Sequence, residues 1–81
     1  MISQTIEKSG QPFYVSLDVD KPLIPNTFTY PAMWTGSINS SECQIRQTGY
    51  DNFVEIVYPA AARIIYNDVC DLIEAQVRLM N

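Results

Sequence analysis

The chain has 81 residues, 47% hydrophobic and 17% charged, with a net charge of −4 and no histidine. That length makes one domain with a thin core, because such a chain buries only about 60–65% of the surface its unfolded form exposes. The composition argues against disorder. Lys8, Lys21, Arg46, Arg63 and Arg78 are scattered rather than clustered, so direct nucleic-acid binding is not expected.

No apolar window approaches the ~18 residues a membrane span needs. Residues 1–10, MISQTIEKSG, lack an apolar run and a basic start, so a secretory leader is not expected. Two cysteines, Cys43 and Cys70, make no disulfide framework, and a reduced, cytoplasmic setting follows. Asn39-Ser40-Ser41 fits the glycosylation pattern but reads as a turn in that setting.

In chain order, residues 1–10 read as a polar, partly ordered N-terminal segment. From Pro12 the pattern changes. Phe13, Val15, Leu17 and Val19 alternate with Tyr14, Ser16, Asp18 and Asp20, the period of a half-buried strand. The stretch DKPLIPNT (20–27) then breaks regular structure, since Pro22 and Pro25 each remove an amide donor. Leu23 and Ile24, held between these prolines, either plug the edge of the core or touch a partner. Residues 27–38 read as a second strand interrupted at Pro31, which suits an edge or a bulge. Residues 36–41, GSINSS, read as a turn, and 42–48 as a short strand with Cys43 and Ile45 inward. Gly49 serves a second turn.

The next strand, 52–58, is apolar on both faces. Val54, Ile56 and Tyr58 share one and Phe53 and Val57 the other. Residues 58–81 carry an amphipathic pattern beginning at Pro59, a good first helical position. Ala62, Ile65, Val69, Leu72, Ile73 and Met80 lie opposite Arg63, Asn67, Asp71, Glu74 and Arg78, which predicts one helix of about 20 residues. The expected fold is α+β: a four-stranded antiparallel sheet with one long C-terminal amphipathic helix packed on one face, spanning residues 1–81 as a single domain.

Without histidine the chain lacks the commonest general base and the commonest transition-metal ligand. Neither a Ser-His-Asp set nor a Cys-His pair can form within it, and no glycine-rich phosphate loop occurs. Cys43 and Cys70 read as small core residues rather than reactive thiols, and two cysteines cannot close a structural zinc site. Asp18 and Asp20, about 7 Å apart on one strand face, could share a hydrated divalent cation, although carboxylates at a strand end more often serve to meet water. Asp68, Asp71 and Glu74 form an acidic stripe along the helix. It could meet a basic partner, or form a solvated face with Arg63 and Arg78.

The aromatic residues weigh more heavily. Exposed Tyr and Trp are common interface anchors, and one helix on a four-stranded sheet leaves its reverse face open. Phe53, Val57 and Trp34 or Met33 are expected on that face. The partner-binding candidates are therefore Tyr14, Leu23, Ile24, Trp34, Tyr50, Phe53 and Val57. The first expectation is a small non-catalytic protein-binding module: an inhibitor, adaptor or accessory subunit, acting on another protein or on a second copy of itself, with no cofactor and no membrane contact. The alternatives are a homodimer sequestering a small molecule in a cleft of Tyr14, Ser16, Tyr30 and Arg46, and a divalent-metal enzyme using Asp18 and Asp20. Small size, mild acidity and missing catalytic groups are similar to phage and mobile-element proteins that inhibit host defence complexes. That likeness is one of class and carries over no residue.

Overall fold

A computed structural model describes residues 1–20 and 32–80. It is α+β, with one antiparallel sheet and one C-terminal helix. The sheet has five strands rather than the expected four: β1 (Ile2–Lys8), β2 (Gln11–Val19), β3 (Ala32–Ile38), β4 (Ser41–Gly49) and β5 (Asn52–Val57), followed by a 3-10 helix (Ala60–Ile65) and α1 (Tyr66–Met80). The strands pair in sequence order, a meander in which each strand lies beside its chain neighbour.

The additional strand is β1, within the segment expected to be only partly ordered. It is closed against β2 by a two-residue turn in which Ser9 (φ 54) and Gly10 (φ 76) both take left-handed backbone. The β3–β4 turn repeats the device with Asn39 (φ 50) and Ser40 (φ 68). Two left-handed residues in a two-residue loop match the right-handed twist of the flanking strands. The turn proper is therefore only Asn39-Ser40, and Gly36, Ser37 and Ile38 continue β3. Glycine is required at position 36, because a Cβ there would lie 1.8 Å from the Ser16 carbonyl oxygen.

One face of the sheet carries Phe13, Val15 and Leu17 of β2, Trp34 and Ile38 of β3, and Cys43 and Ile45 of β4. It is sealed by Ala62, Ile65, Val69, Ile73 and Val77. From Ile65 onward the sealing residues recur every fourth position, which keeps them on one stripe of the helix. Val77 joins the expected set, Leu72 is half-buried at the margin, and the side chain of Met80 lies outside the described residues. Each fully buried aliphatic side chain contributes about 1.5–3 kcal/mol. The one buried polar side chain among the described residues, Gln47, accepts the Trp34 indole N–H at 2.9 Å and donates to the Tyr50 carbonyl at 3.1 Å. The indole N–H therefore enters the core with its bond made.

The expected single rod over 59–80 is two pieces. Residues Ala60–Ile65 wind as a 3-10 helix entered from Pro59 with no side-chain cap. Tyr58 holds this turn by donating its hydroxyl to the Ala62 carbonyl at 2.7 Å, and its ring meets Tyr66 edge-on at 5.1 Å. Among the described residues, no helix is long and apolar enough to cross a membrane.

Candidate interaction surface

Cross-strand partners share a face, so the register identifies the side of the sheet turned away from the helix. Tyr14, Ser16 and Asp18 of β2 stand there beside Ser37 and Thr35 of β3, then Glu42, Gln44 and Arg46 of β4. Met33, opposite Arg46, lies on it as expected, but the face is otherwise mainly hydroxyl, amide and charge, which corrects the expectation of an apolar reverse side. Its apolar part is concentrated on β5.

The register of β4 with β5 runs Arg46↔Val54, Ile45↔Glu55, then Gln44↔Val57, so Ile56 is the extra residue of a bulge. A bulge places two residues opposite one and brings side chains that would alternate toward the same side. Val54, Ile56 and Val57 are accordingly exposed, at 49%, 48% and 37%. Phe53, paired with buried Gln47, packs instead against the helix-side core, as does Tyr58. The assignment of faces in this strand is thus reversed for Phe53, Val54 and Ile56, while Tyr58 packs on the helix side and Val57 lies on the open side, both as expected.

The other candidates separate clearly. Tyr14 stands on the open face at 62% exposure. Trp34 is 1% exposed in the core, where its indole packs and bonds, so it offers no surface to a partner. Tyr50 lies at the β4–β5 turn with the Arg78 guanidinium 5.6 Å from its ring centroid, and its hydroxyl accepts from Arg78 Nε. Leu23 and Ile24 lie outside the described residues, as does Tyr30 of the proposed small-molecule cleft.

Asp18 accepts the Val19 amide at 3.0 Å and lies 3.6 Å from the Met1 amino group, while Asp20 accepts the Thr35 hydroxyl at 3.0 Å. Both carboxylates thus serve local contacts. Among the described residues, no group of three or more acidic or cysteine side chains converges as a metal site would require. Arg63 turns to Glu55, with a two-pronged pair at 2.6 and 2.5 Å, and Arg78 turns to Tyr50. The expected girdle of Arg63, Asp71 and Arg78 along the helix does not form. The hydrogen bond to Glu55 raises the Arg63 pKa further above its ordinary value.

Both thiols are free, Cys43 buried on β4 and Cys70 half-buried on α1. Burial pushes Cys43 up to about 11, with Cys70 adding to the effect. Burial likewise pushes Cys70 up to about 11, against a lowering by the Tyr66 hydroxyl hydrogen bond. Both are therefore protonated at neutral pH and poor nucleophiles. Burial raises Tyr66 to about 12 and Tyr58 further still.

The exposed β5 trio was legible only as apolar residues in an apolar strand. The bulge that gathers Ile56 and Val57 on one side has no local sequence signature. Compared with models of protein families, with curated proteins and with solved structures, the chain matches none.

Proposed function

We propose that this chain is a small non-catalytic protein-binding module whose contact surface is the open side of β5 with the neighbouring sheet face. The observation that carries the reading is the exposure of Val54, Ile56 and Val57 together on an edge strand. Aliphatic side chains gathered at a bulge on an edge give a partner an apolar anchor, with the polar rows of β3 and β4 as its rim. Tyr14 stands three strand spacings across and four residues along the register from Val57, roughly 20 Å away, within the reach of one ordinary interface. Supporting the non-catalytic part are the absence of histidine, the protonated thiols and the local engagement of Asp18 and Asp20. Free thiols at Cys43 and Cys70 suit a reducing compartment such as the cytoplasm. The reading includes the stand-alone inhibitors of host defence complexes suggested by composition.

The experiment is a paired affinity capture from the native host with the wild-type chain and with Val54→Lys/Ile56→Lys, beside sedimentation of both. A foreign protein retained by the wild type and lost from the variant supports the module, and a concentration-dependent dimer lost in the variant identifies a second copy as the partner. Identical capture and identical sedimentation of the two chains would overturn the assignment to β5.

A further inference from the structure

The opposite edge of the sheet has a different character. Tyr14 donates its amide to Asn39 Oδ1 and Asp20 donates its amide to the Met33 carbonyl, so the even-numbered residues of β2 bond toward β3. Strand alternation then turns Phe13, Val15 and Leu17 toward β1, where they face Ile6, Gln4 and Ile2. The backbone groups of Ser3, Thr5 and Glu7 must therefore point outward. β1 is the terminal strand, and no described strand lies beyond it.

Edge strands are commonly blunted by proline, bulges or lysine. β1 contains no proline and pairs with β2 without a register shift, and its one lysine, Lys8, is tied to Asp68 at 3.2 Å. β5 carries two register irregularities, so its outer edge is a poorer template. Beside β1 runs an open groove of about 390 Å³ between the strand and α1, lined by Ile6, Leu72, Glu7, Asp68 and Asp71 among others. Lys8 offsets Asp68, and Asp71 leaves the helix side of the groove acidic, while the Glu7 side chain stands on the other face of β1.

We infer that β1 is an acceptor edge for an extended cationic peptide, which adds as a sixth strand and lays lysine or arginine side chains into the groove. The peptide's main chain meets the outward donors and acceptors of Ser3, Thr5 and Glu7. Alternate side chains fall on the helix side, where an aliphatic stem covers Ile6 and Leu72 and the cationic head reaches Asp71. An acidic peptide of the same shape would meet the like charge of Asp71. This surface is independent of β5 and does not rest on the function proposed above.

The test uses the full chain and an acetylated, amidated peptide of three Lys-Val repeats, with three Glu-Val repeats as the control, read by fluorescence anisotropy. The lysine peptide binds at least tenfold more tightly than the glutamate peptide, and Asp71→Asn weakens it about threefold, the scale of one partly exposed charge pair. Thr5→Pro removes an amide that points away from β2, so the native ladder stays intact while binding falls at least tenfold. Val54→Lys/Ile56→Lys binds as the wild type does. Hydrogen exchange gives a readout on the unmutated chain: the amides of Ser3, Thr5 and Glu7 exchange freely alone and become protected with peptide, whereas those of Gln4 and Ile6 are protected in both states. Equal affinity for the two peptides, no saturation by about 1 mM, full binding by Thr5→Pro, or outward amides already protected in the free chain would each overturn the inference.

Discussion

Asn39 grips Tyr14 twice: its backbone amide donates to the Tyr14 carbonyl at 2.9 Å, and its side-chain oxygen accepts the Tyr14 amide at 2.8 Å. The turn residue thus lengthens the β2–β3 ladder by one rung, using a side chain where no further strand residue is available. Its own backbone is left-handed, a conformation asparagine tolerates better than most residues.

Two substitutions separate these contributions. Asn39→Gly keeps the backbone freedom and loses the side-chain bond, costing about 1 kcal/mol. Asn39→Ala loses the bond and also strains the turn, costing about 2 kcal/mol. Urea unfolding ranks the three chains, and an alanine variant as stable as the glycine variant would remove the strain from this account.

The Trp34–Gln47 pair predicts a cost out of proportion to its size. Gln47→Leu preserves the apolar volume but leaves the indole N–H buried without an acceptor, a loss of about 2 kcal/mol. Trp34 is the chain's one tryptophan, so its fluorescence reports the change of environment directly while chemical unfolding reports the stability.

Gly36→Ala should be among the most damaging single-methyl additions in the chain. The new carbon would overlap the Ser16 carbonyl, and backbone cannot yield as a side-chain end can. A loss of about 3 kcal/mol is expected, and thermal unfolding of the variant beside Gly49→Ala is the comparison. At position 49 the nearest atom, at 2.7 Å, belongs to the Asn52 side chain, which can move, so the smaller loss belongs there.

Alkaline pH should loosen the fold through its thiols. Cys43 and Cys70 have ordinary values of 9.0 and are raised to about 11 in the folded chain. Above pH 9 the unfolded chain releases these protons and the folded chain does not, so their stabilisation is complete below about pH 9 and is lost as pH rises toward 11. Melting temperatures measured across that window should fall, and Cys43→Ala should flatten the slope. An unchanged slope in that variant would assign the alkaline loss to other groups.

The sequence showed the fold wherever apolar residues kept a single phase. In β2, Phe13, Val15 and Leu17 alternate cleanly and all three are buried. In β1 the core-side row is Ile2, Gln4, Ile6, and a glutamine in the middle breaks the alternation. In β3 the core-side row is Ala32, Trp34, Gly36, Ile38, and the glycine made the second half resemble a turn. Reading that row as continuous would have placed Trp34 inside. In β5, apolar residues on both faces carried no phase information, and the bulge shifts what phase there is. The helix stripe was readable, but alanine-rich residues 60–62 do not distinguish 3-10 from α winding. What tightens the first turn is Tyr58 reaching Ala62.

Because every strand in this sheet lies beside its chain neighbour, none has to wait for a distant segment before it can pair. Chain collapse can proceed as zippering from three tight reversals, Ser9-Gly10, Asn39-Ser40 and Tyr50-Asp51. The long-range closure left over is the return of α1 over the finished sheet, so the kinetic bottleneck should lie in docking the stripe of Ile65, Val69, Ile73 and Val77 rather than in building the hairpins.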